Sequence, residues 1–385
     1  MMTVIPAKST RGEVAELARL FLRLGLTAFG GPAAHIGLME REAVERRAWM
    51  SRAQFLDLVG ACNLLPGPSS TQVSMVLGYR RAGWPGLAAA GLCFIMPSIL
   101  STLALAWAYV RYGCLPQAQG VLYGVKPVMI AIILQAIWIL GQTAFRSWQL
   151  ALAGVACFAA VLAGAQPIAV LLIAGGLALL AVRLRSRPRT VQGLAVLPSA
   201  LGIATAGSTA AAGLLPMLLV FLKLGVVVFG SGYVLVAFFK ADLVDRLHWI
   251  TSAQLLDSVT AGQMTPGPVF ATATFLGYLL HGWSGAAVAS AAIFLPSFLM
   301  AGLVGALAEH IRKSALASGF LDGVNAAAVA LMASVTLGLG RAALVDPWTW
   351  AVGLVSAALL IRFRVNATWL ILAGAALGML LRGLG

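Results

Sequence analysis

The sequence predicts an all-α polytopic membrane protein made of two homologous, inverted repeats with broken helices, about 12–13 transmembrane segments in all. Three observations predict it. Of 385 residues, 61% are hydrophobic and only 10% are charged, and the mean hydropathy is +0.94. A chain of that make-up cannot wrap a core in a water-facing surface. The second half repeats landmarks of the first at a fixed spacing, and each half carries a Pro-Gly-Pro tripeptide inside an apolar stretch, at 66–68 and 266–268.

Residues 14–38 form the first apolar stretch, which holds Arg23 and the breaker set Phe29-Gly30-Gly31-Pro32. A charged segment, 40–52, interleaves Glu and Arg and includes Trp49. Residues 53–79 contain Pro66-Gly67-Pro68. Two prolines without an N–H and a glycine free to leave helical dihedrals force a helix to stop and restart here. The two halves are about a dozen residues, or about 18 Å, long, too short to cross alone. Longer apolar runs occupy 84–110, 119–145, 148–163 and 167–182.

Phe21-Leu22-Arg23-Leu24-Gly25 recurs as Phe221-Leu222-Lys223-Leu224-Gly225, and Trp49, Gln54 and Asp57 recur as Trp249, Gln254 and Asp257. Past the breaks one residue is lost. Leu77-Gly78-Tyr79, Trp84 and Pro97-Ser98 then recur as Leu276-Gly277-Tyr278, Trp283 and Pro296-Ser297. Register kept across charged loops marks an internal duplication. The chain divides into a first repeat, 13–184, a linker, 185–213, and a second repeat, 214–382. No residue from Thr190 to Leu222 is charged, which leaves room for one extra span at about 191–211 and would invert the second repeat. Inversion also collects more of the basic loops on the N-terminal face than parallel repeats would. In that scheme 40–52 lies across the membrane from Arg80-Arg81, an awkward place for its four arginines.

The net charge of +14 includes arginines in short loops, such as Arg183 to Arg189. That pattern reads as topology information, not as a nucleic-acid face. The four cysteines show no paired spacing, so no metal or disulfide framework is indicated and no cofactor is expected. No Gly-Lys-Ser/Thr phosphate loop, His-Glu-x-x-His or Gly-x-Ser-x-Gly occurs, so the usual signatures of ATPases and membrane hydrolases are missing.

A helix that restarts at a break offers amides without acceptors and the positive end of its dipole, which favours an anion. Around the first break stand Asn63, Ser69, Ser70, Thr71 and Gln72; around the second, Gln263, Thr265 and Thr272 flank Pro266-Gly267-Pro268. These are neutral hydrogen-bonding groups without carboxylates. They suit a tetrahedral oxyanion better than a metal cation. Arg23 and Lys223, nine or more residues into their spans, supply one cation per repeat, either facing the interior or reaching an interface. Asp57 and Asp257, each nine residues before its break, are candidates for proton coupling or for structural pairing. His35 is a further proton-coupling candidate without a counterpart, since Leu235 stands there, and Gly30, Gly31 and Pro32 form a candidate hinge. Lys126 is matched by Asn325, so whatever it does belongs to the first repeat alone.

On Phe29-Gly30-Gly31-Pro32 with the Glu40 to Trp49 segment, on Leu65-Pro66-Gly67-Pro68 with Gln72 and Leu77-Gly78-Tyr79, and on their second-repeat relatives, the chain resembles the chromate ion transporters in their long, two-domain form. The resemblance covers essentially the whole chain. It implies a multi-pass protein of the bacterial inner membrane that exports chromate and confers chromate resistance, with repeats in opposite orientation and sulfate as a competitor. Ser231-Gly232 replaces Gly31-Pro32 in the second repeat, a departure from the first-half motif that argues against equal roles. A carrier of sulfate or another oxyanion, or an intramembrane enzyme, are the alternative readings. The coupling ion and any homo-oligomer stay open.

Overall fold

A computed structural model describes residues 10–29, 31–63, 65–113, 115–185, 213–229, 232–311 and 315–383. The described residues are helical throughout, with no strand. The first repeat runs α1 (Arg11–Thr27), α2 (Gly31–Glu40), a π-helical turn (Arg41–Arg46), α3 (Arg52–Asn63), α4 (Ser69–Tyr112), α5 (Pro116–Ala144), α6 (Trp148–Leu162) and α7 (Pro167–Arg185). The second runs α8 (Leu214–Val227), α9 (Val234–Phe239), a π-helical turn (Lys240–Arg246), α10 (Ser252–Met264), a 3₁₀ turn (Val269–Ala271), α11 (Thr272–Ile311), α12 (Ala315–Ala343), α13 (Pro347–Arg362) and α14 (Ala367–Gly383). Element matches element, including the paired π-turns. The extra span expected in the linker falls at 186–212, outside the described residues.

Among the described residues five helical stretches are long and apolar enough to cross a membrane: Ser69–Tyr112, Pro116–Ala144, Pro167–Leu184, Val269–Leu303 and Ser318–Ala343. Four shorter apolar helices accompany them, Trp148–Leu162, Leu214–Val227, Pro347–Arg362 and Ala367–Leu381. Leu100, Trp107, Trp138, Leu177, Leu299 and Leu354 point outward, an apolar exterior that only lipid would solvate. The chain is an all-α polytopic membrane protein.

The half-length helices fold back on themselves. α1 opens with a capping box, in which Thr10 Oγ1 accepts from the Glu13 amide and Glu13 accepts from the Thr10 amide. It ends at Ala28, and α2 returns to the end where α1 began: Arg47 pairs with Glu16, Arg81 reaches Glu13 at 3.6 Å, and both arginines lie over the Trp49 ring. The 40–52 segment therefore shares a face with Arg81 instead of lying across from it. That corrects the sequence expectation, which treated 14–38 as a single span. Its arginines sit with the other basic groups, and Arg46, Arg47 and Arg52 pair with Glu42, Glu16 and Glu40.

α4 is two antiparallel arms joined at Ala82 and Gly83, where Gly83 takes φ 61° and ψ −149°. The arms touch so closely that a Cβ on Gly78 would lie 2.2 Å from the Gly86 carbonyl. α11 reverses the same way at His281 and Gly282, with Gly277 against Gly285. The long arms of α4 and α11 cross each other in the middle of the molecule, with the Trp84 ring on Gly302 and the Phe298 ring on Gly91. Residue numbers rise along one as they fall along the other. Equivalent helices of the two repeats are thus antiparallel, which is the inverted arrangement. The repeats also exchange helices: α5 lies on α14 through Gly120 and Gly124 against Gly378 and Gly374, and α12 lies on α7 through Gly319 and Gly323 against Ala178 and Ala174. Small residues let these backbones approach where lipid supplies no hydrophobic drive.

Candidate functional site

α1 climbs beside the long arm of α4, and Gly25 fits against the Cys93 and Phe94 carbonyls and the Pro97 ring. Pro97 has no N–H, so one carbonyl a turn earlier loses its helical partner, and a glycine is needed to pack there. Gly225 meets Ile293 and Pro296 in the same way. Ser98 lies midway along the long arm of α4, about 21 Å from either end. Ala28 and the second break come to that level.

Each break is completed by the other repeat. The Gly67 N–H donates to the Val228 carbonyl at 2.6 Å, and the Gly267 N–H donates to the Ala28 carbonyl at 2.9 Å. Both glycines hold left-handed dihedrals, φ 111° and 105°, which glycine adopts without the Cβ clash other residues meet. A Cβ on Gly67 would lie 2.7 Å from Ser297 Oγ, and one on Gly267 would lie 2.8 Å from Ser98 Cβ. The two glycine amides are therefore already bonded. The amides of Ser69, Ser70 and Thr71 in the first turn of α4, and those of Val269 and Phe270 at the second break, have no backbone acceptor among the described residues; Gln72 N–H then bonds the Pro68 carbonyl at 3.0 Å. On the other side Ala271 N–H bonds the Pro268 carbonyl, and Thr265 Oγ1 donates to Gly262 while lying 3.1 Å from Thr102 Oγ1.

Side chains at the breaks are buried without being satisfied. Thr71 Oγ1, Gln72 Oε1, Ser98 Oγ, Gln263 Nε2, Thr272 Oγ1 and Ser297 Oγ have no hydrogen-bond partner among the described residues. Ser98, Ser297, Thr71 and Gln72 are all at 0% exposure, so this conformation is closed around the breaks. Gln72 Nε2 donates to the Pro66 carbonyl at 2.5 Å, which orients its amide and makes Oε1 the single acceptor among the six; the rest can donate. A buried polar group without a partner costs about 1–3 kcal/mol, so six of them at the two breaks need an explanation.

His35, 1% exposed, connects the two breaks: Nε2 lies 3.1 Å from the Ala28 carbonyl that receives Gly267, and Nδ1 lies 3.2 Å from Ser70 Oγ. A carbonyl can only accept, so Nε2 carries the proton and Ser70 donates to Nδ1. Gly31 opens α2 at φ 81°, where a Cβ would lie 3.3 Å from the Tyr233 hydroxyl. That hydroxyl is hydrogen-bonded to Gln263. Pro32 follows in the first turn of α2, and Gly30 lies outside the described residues.

The expected cations are already committed. Arg23 pairs with Glu42, which also holds Arg46 at 2.8 Å and Arg47 at 3.4 Å; Lys223 pairs with Asp242 at 2.5 Å, which also holds Arg246 at 3.0 Å. Both clusters are built on the π-turns. Burial pushes the Glu42 carboxyl up, but Arg23, Arg46 and Arg47 together hold it below its ordinary 4.5. The aspartates part company: Asp57 and Asn63 are exposed on α3, whereas Asp257 is buried and bonded to Lys126 at 2.9 Å and to the Tyr109 hydroxyl at 2.9 Å. Sequence reasoning did not single out Ser98 and Ser297 as site residues. Their signal was the Pro-Ser pair preserved in both repeats.

Among the described residues no cluster of His, Cys, Asp or Glu could hold a metal ion. No solved structure matches the chain. Several relatives do at the sequence level. The "Probable chromate transport protein" of Synechococcus elongatus is 35% identical over 92% of this chain and 91% of its own length. The chromate transport protein of Cupriavidus metallidurans is 36% identical over 94% and 91%, and that of Pseudomonas aeruginosa 33% identical over 85% and 81%. The sequence profile described as Chromate transporter matches 15–180 and 215–379, one match to each repeat. With paired breaks, paired π-turns and a profile match in each half, the chain belongs to the chromate transporter family.

Proposed function

We propose that the protein is a secondary transporter that moves chromate, a tetrahedral dianion, out of the cytoplasm across the bacterial inner membrane, and so confers chromate resistance. The observation that carries this reading is the set of six unsatisfied buried polar atoms at the two breaks, five of them donors. A tetrahedral oxyanion accepts several hydrogen bonds at once, and the first turn of α4 adds backbone donors and the positive end of a helix dipole. The full-length relatives named for chromate transport support the choice of anion.

Pro66 to Gln72, Gln263, Thr265 to Pro268 and Thr272 shape the site, with Ser98 and Ser297 added as donors. Arg23 and Lys223 act at its approaches, each within a cluster richer in bases than acids. No ATP-binding motif occurs, so an ion gradient or the membrane potential supplies the energy. A dianion leaving a negative-inside cell gains about 4.6 kcal/mol per 100 mV, twice the single-charge value. Gly31, Pro32 and His35 form the hinge between the closed form and one open to either face.

Everted membrane vesicles test the proposal. Energised vesicles carrying the protein should accumulate radiolabelled chromate, and excess sulfate should inhibit. A rate equal to that of vesicles without the protein would end the reading, and sulfate uptake that outcompetes chromate would make the protein a sulfate carrier.

A further inference from the structure

Arg23, Lys223 and Lys126 are each held by an acid, Glu42, Asp242 and Asp257 in turn. The unsatisfied hydrogen-bonding groups at the breaks are hydroxyls and amides, all neutral. Closing a dianion among neutral groups is costly even when its hydrogen bonds are made, and a proton brought in with it would cancel one of its two charges. Among the described residues, His35 is the titratable side chain bonded at both breaks. Its Nε2 donates to the Ala28 carbonyl, which also receives the Gly267 N–H, and its Nδ1 accepts from Ser70 in the first turn of α4.

The ring is fixed by its surroundings. The Phe94 ring meets it edge to face, with centroids 5.5 Å apart. The elements packed on α2 are α1, α3, α4 and the first π-turn. Their uncharged titratable groups are Cys62 of α3 and Cys93 of α4, and the Tyr233 hydroxyl stands beside Gly31. Of their charged groups, Glu42 and the guanidiniums of Arg23, Arg46 and Arg47 gather about two helical turns beyond His35. Asp57 of α3 is exposed, and Arg80 and Arg81 of α4 stand by the reversal at Gly83. Leu235, at the equivalent position of the second repeat, cannot titrate, so the arrangement belongs to the first repeat.

We propose that His35 is a proton site coupled to the anion site, taking up a proton from water as the dianion binds. In the neutral ring the single hydrogen of Ser70 is occupied by Nδ1. A proton arriving at Nδ1 turns that bond around: the imidazolium donates to Ser70 Oγ, and the Ser70 hydrogen turns to the anion. The first turn of α4 thereby gains a donor and a positive charge beside the amides of Ser69, Ser70 and Thr71. As the anion departs, the proton returns to water and Ser70 turns back. Nε2 keeps its bond to Ala28 in both forms, so the contact between the repeats is undisturbed. This rests on the oxyanion-transport reading and deepens its site.

The test is equilibrium binding of labelled sulfate and chromate to the purified full chain from about pH 6 to about pH 8, with proton uptake read by an indicator dye in weak buffer. Sulfate stays doubly charged over that range, so protons taken up with it belong to the protein; for chromate, the difference from His35→Gln isolates them. Affinity should rise about tenfold for each pH unit lowered, with about one proton taken up per anion. His35→Gln offers an amide N–H to Ala28 and a carbonyl oxygen to Ser70, so it keeps both hydrogen bonds and loses the titration. Its affinity should change less than about twofold over the same range, without proton uptake. A merely structural bridge would leave the two chains alike, and native binding without proton uptake, or the same pH slope in His35→Gln, overturns the proposal. Should His35→Gln fail to fold, the chain carrying His248→Gln, His281→Gln and His310→Gln decides the matter by NMR of its ring-labelled His35. That ring should pass to the imidazolium form as anion is added, and a ring that stays neutral overturns the proposal. Absence of saturable binding of either anion, and of transport, in the native protein would instead sink the transport reading itself.

Discussion

Ser98 and Ser297 sit at equivalent points, each buried against the other repeat's glycine with a hydroxyl that bonds to nothing among the described residues. If those hydroxyls serve a ligand, Ser98→Ala should leave the fold as stable or more stable, since removing an unsatisfied group recovers part of about 1–3 kcal/mol. It should lower transport about tenfold, the worth of one hydrogen bond to a charged acceptor. Melting temperature and vesicle uptake read the two effects separately. Gly67→Ala meets both left-handed strain of about 1–2 kcal/mol and the Ser297 hydroxyl; uptake should fall more than protein level, measured by immunoblot. At Glu42 the flanking guanidiniums depress the carboxyl. The stabilisation is therefore complete above about pH 4.5 and is lost as pH falls through the lowered value. Thermal melts in detergent from about pH 6 to about pH 3 should show this loss in the native chain and a shallower one in Glu42→Gln. The sequence exposed Pro66, Gly67, Gln72 and their partners because glycine and proline punctuate an apolar run. It could not expose the Arg23–Glu42 or Lys126–Asp257 pairs, whose members are 19 and 131 positions apart and meet only through folding.

At the scale of elements, the breaks and the long apolar runs were readable from composition alone, because hydropathy and helix-breaking residues are local properties. The π-turns at Arg41–Arg46 and Lys240–Arg246 were not, since one extra residue per turn leaves no compositional trace. Nor was the return of α2 to the starting face, because an apolar stretch of 25 residues looks like a span whether or not it folds back. The glycine seam between α5 and α14 has no slack: a Cβ on Gly124 would lie 1.9 Å from the Gly374 carbonyl. Gly124→Leu should therefore cost about 1–3 kcal/mol by forced separation, seen as a lower melting temperature. Gly176→Leu, at a position with nothing within 4 Å, should leave it unchanged.

For the whole molecule, the duplicated landmarks announced two related repeats and the distribution of basic loops announced their opposition; the antiparallel α4 and α11 arms agree. Single cysteines in a cysteine-free background test the layout. Glu45→Cys and Arg80→Cys should react with a membrane-impermeant maleimide from the same side, and Tyr112→Cys from the other. Labelling of Glu45→Cys from the Tyr112 side would restore the simple-span arrangement. The borrowed carbonyls at Ala28 and Val228 carry a further consequence. Because each interruption leans on the end of its twin's first helix, tilting one bundle drags the opposing gate with it. On the transport reading proposed above, the protein's two extreme postures would be nearly mirror images in composition and close in energy. What separates them is the handful of places where the copies have diverged, so the resting preference of the carrier is written in its mismatches.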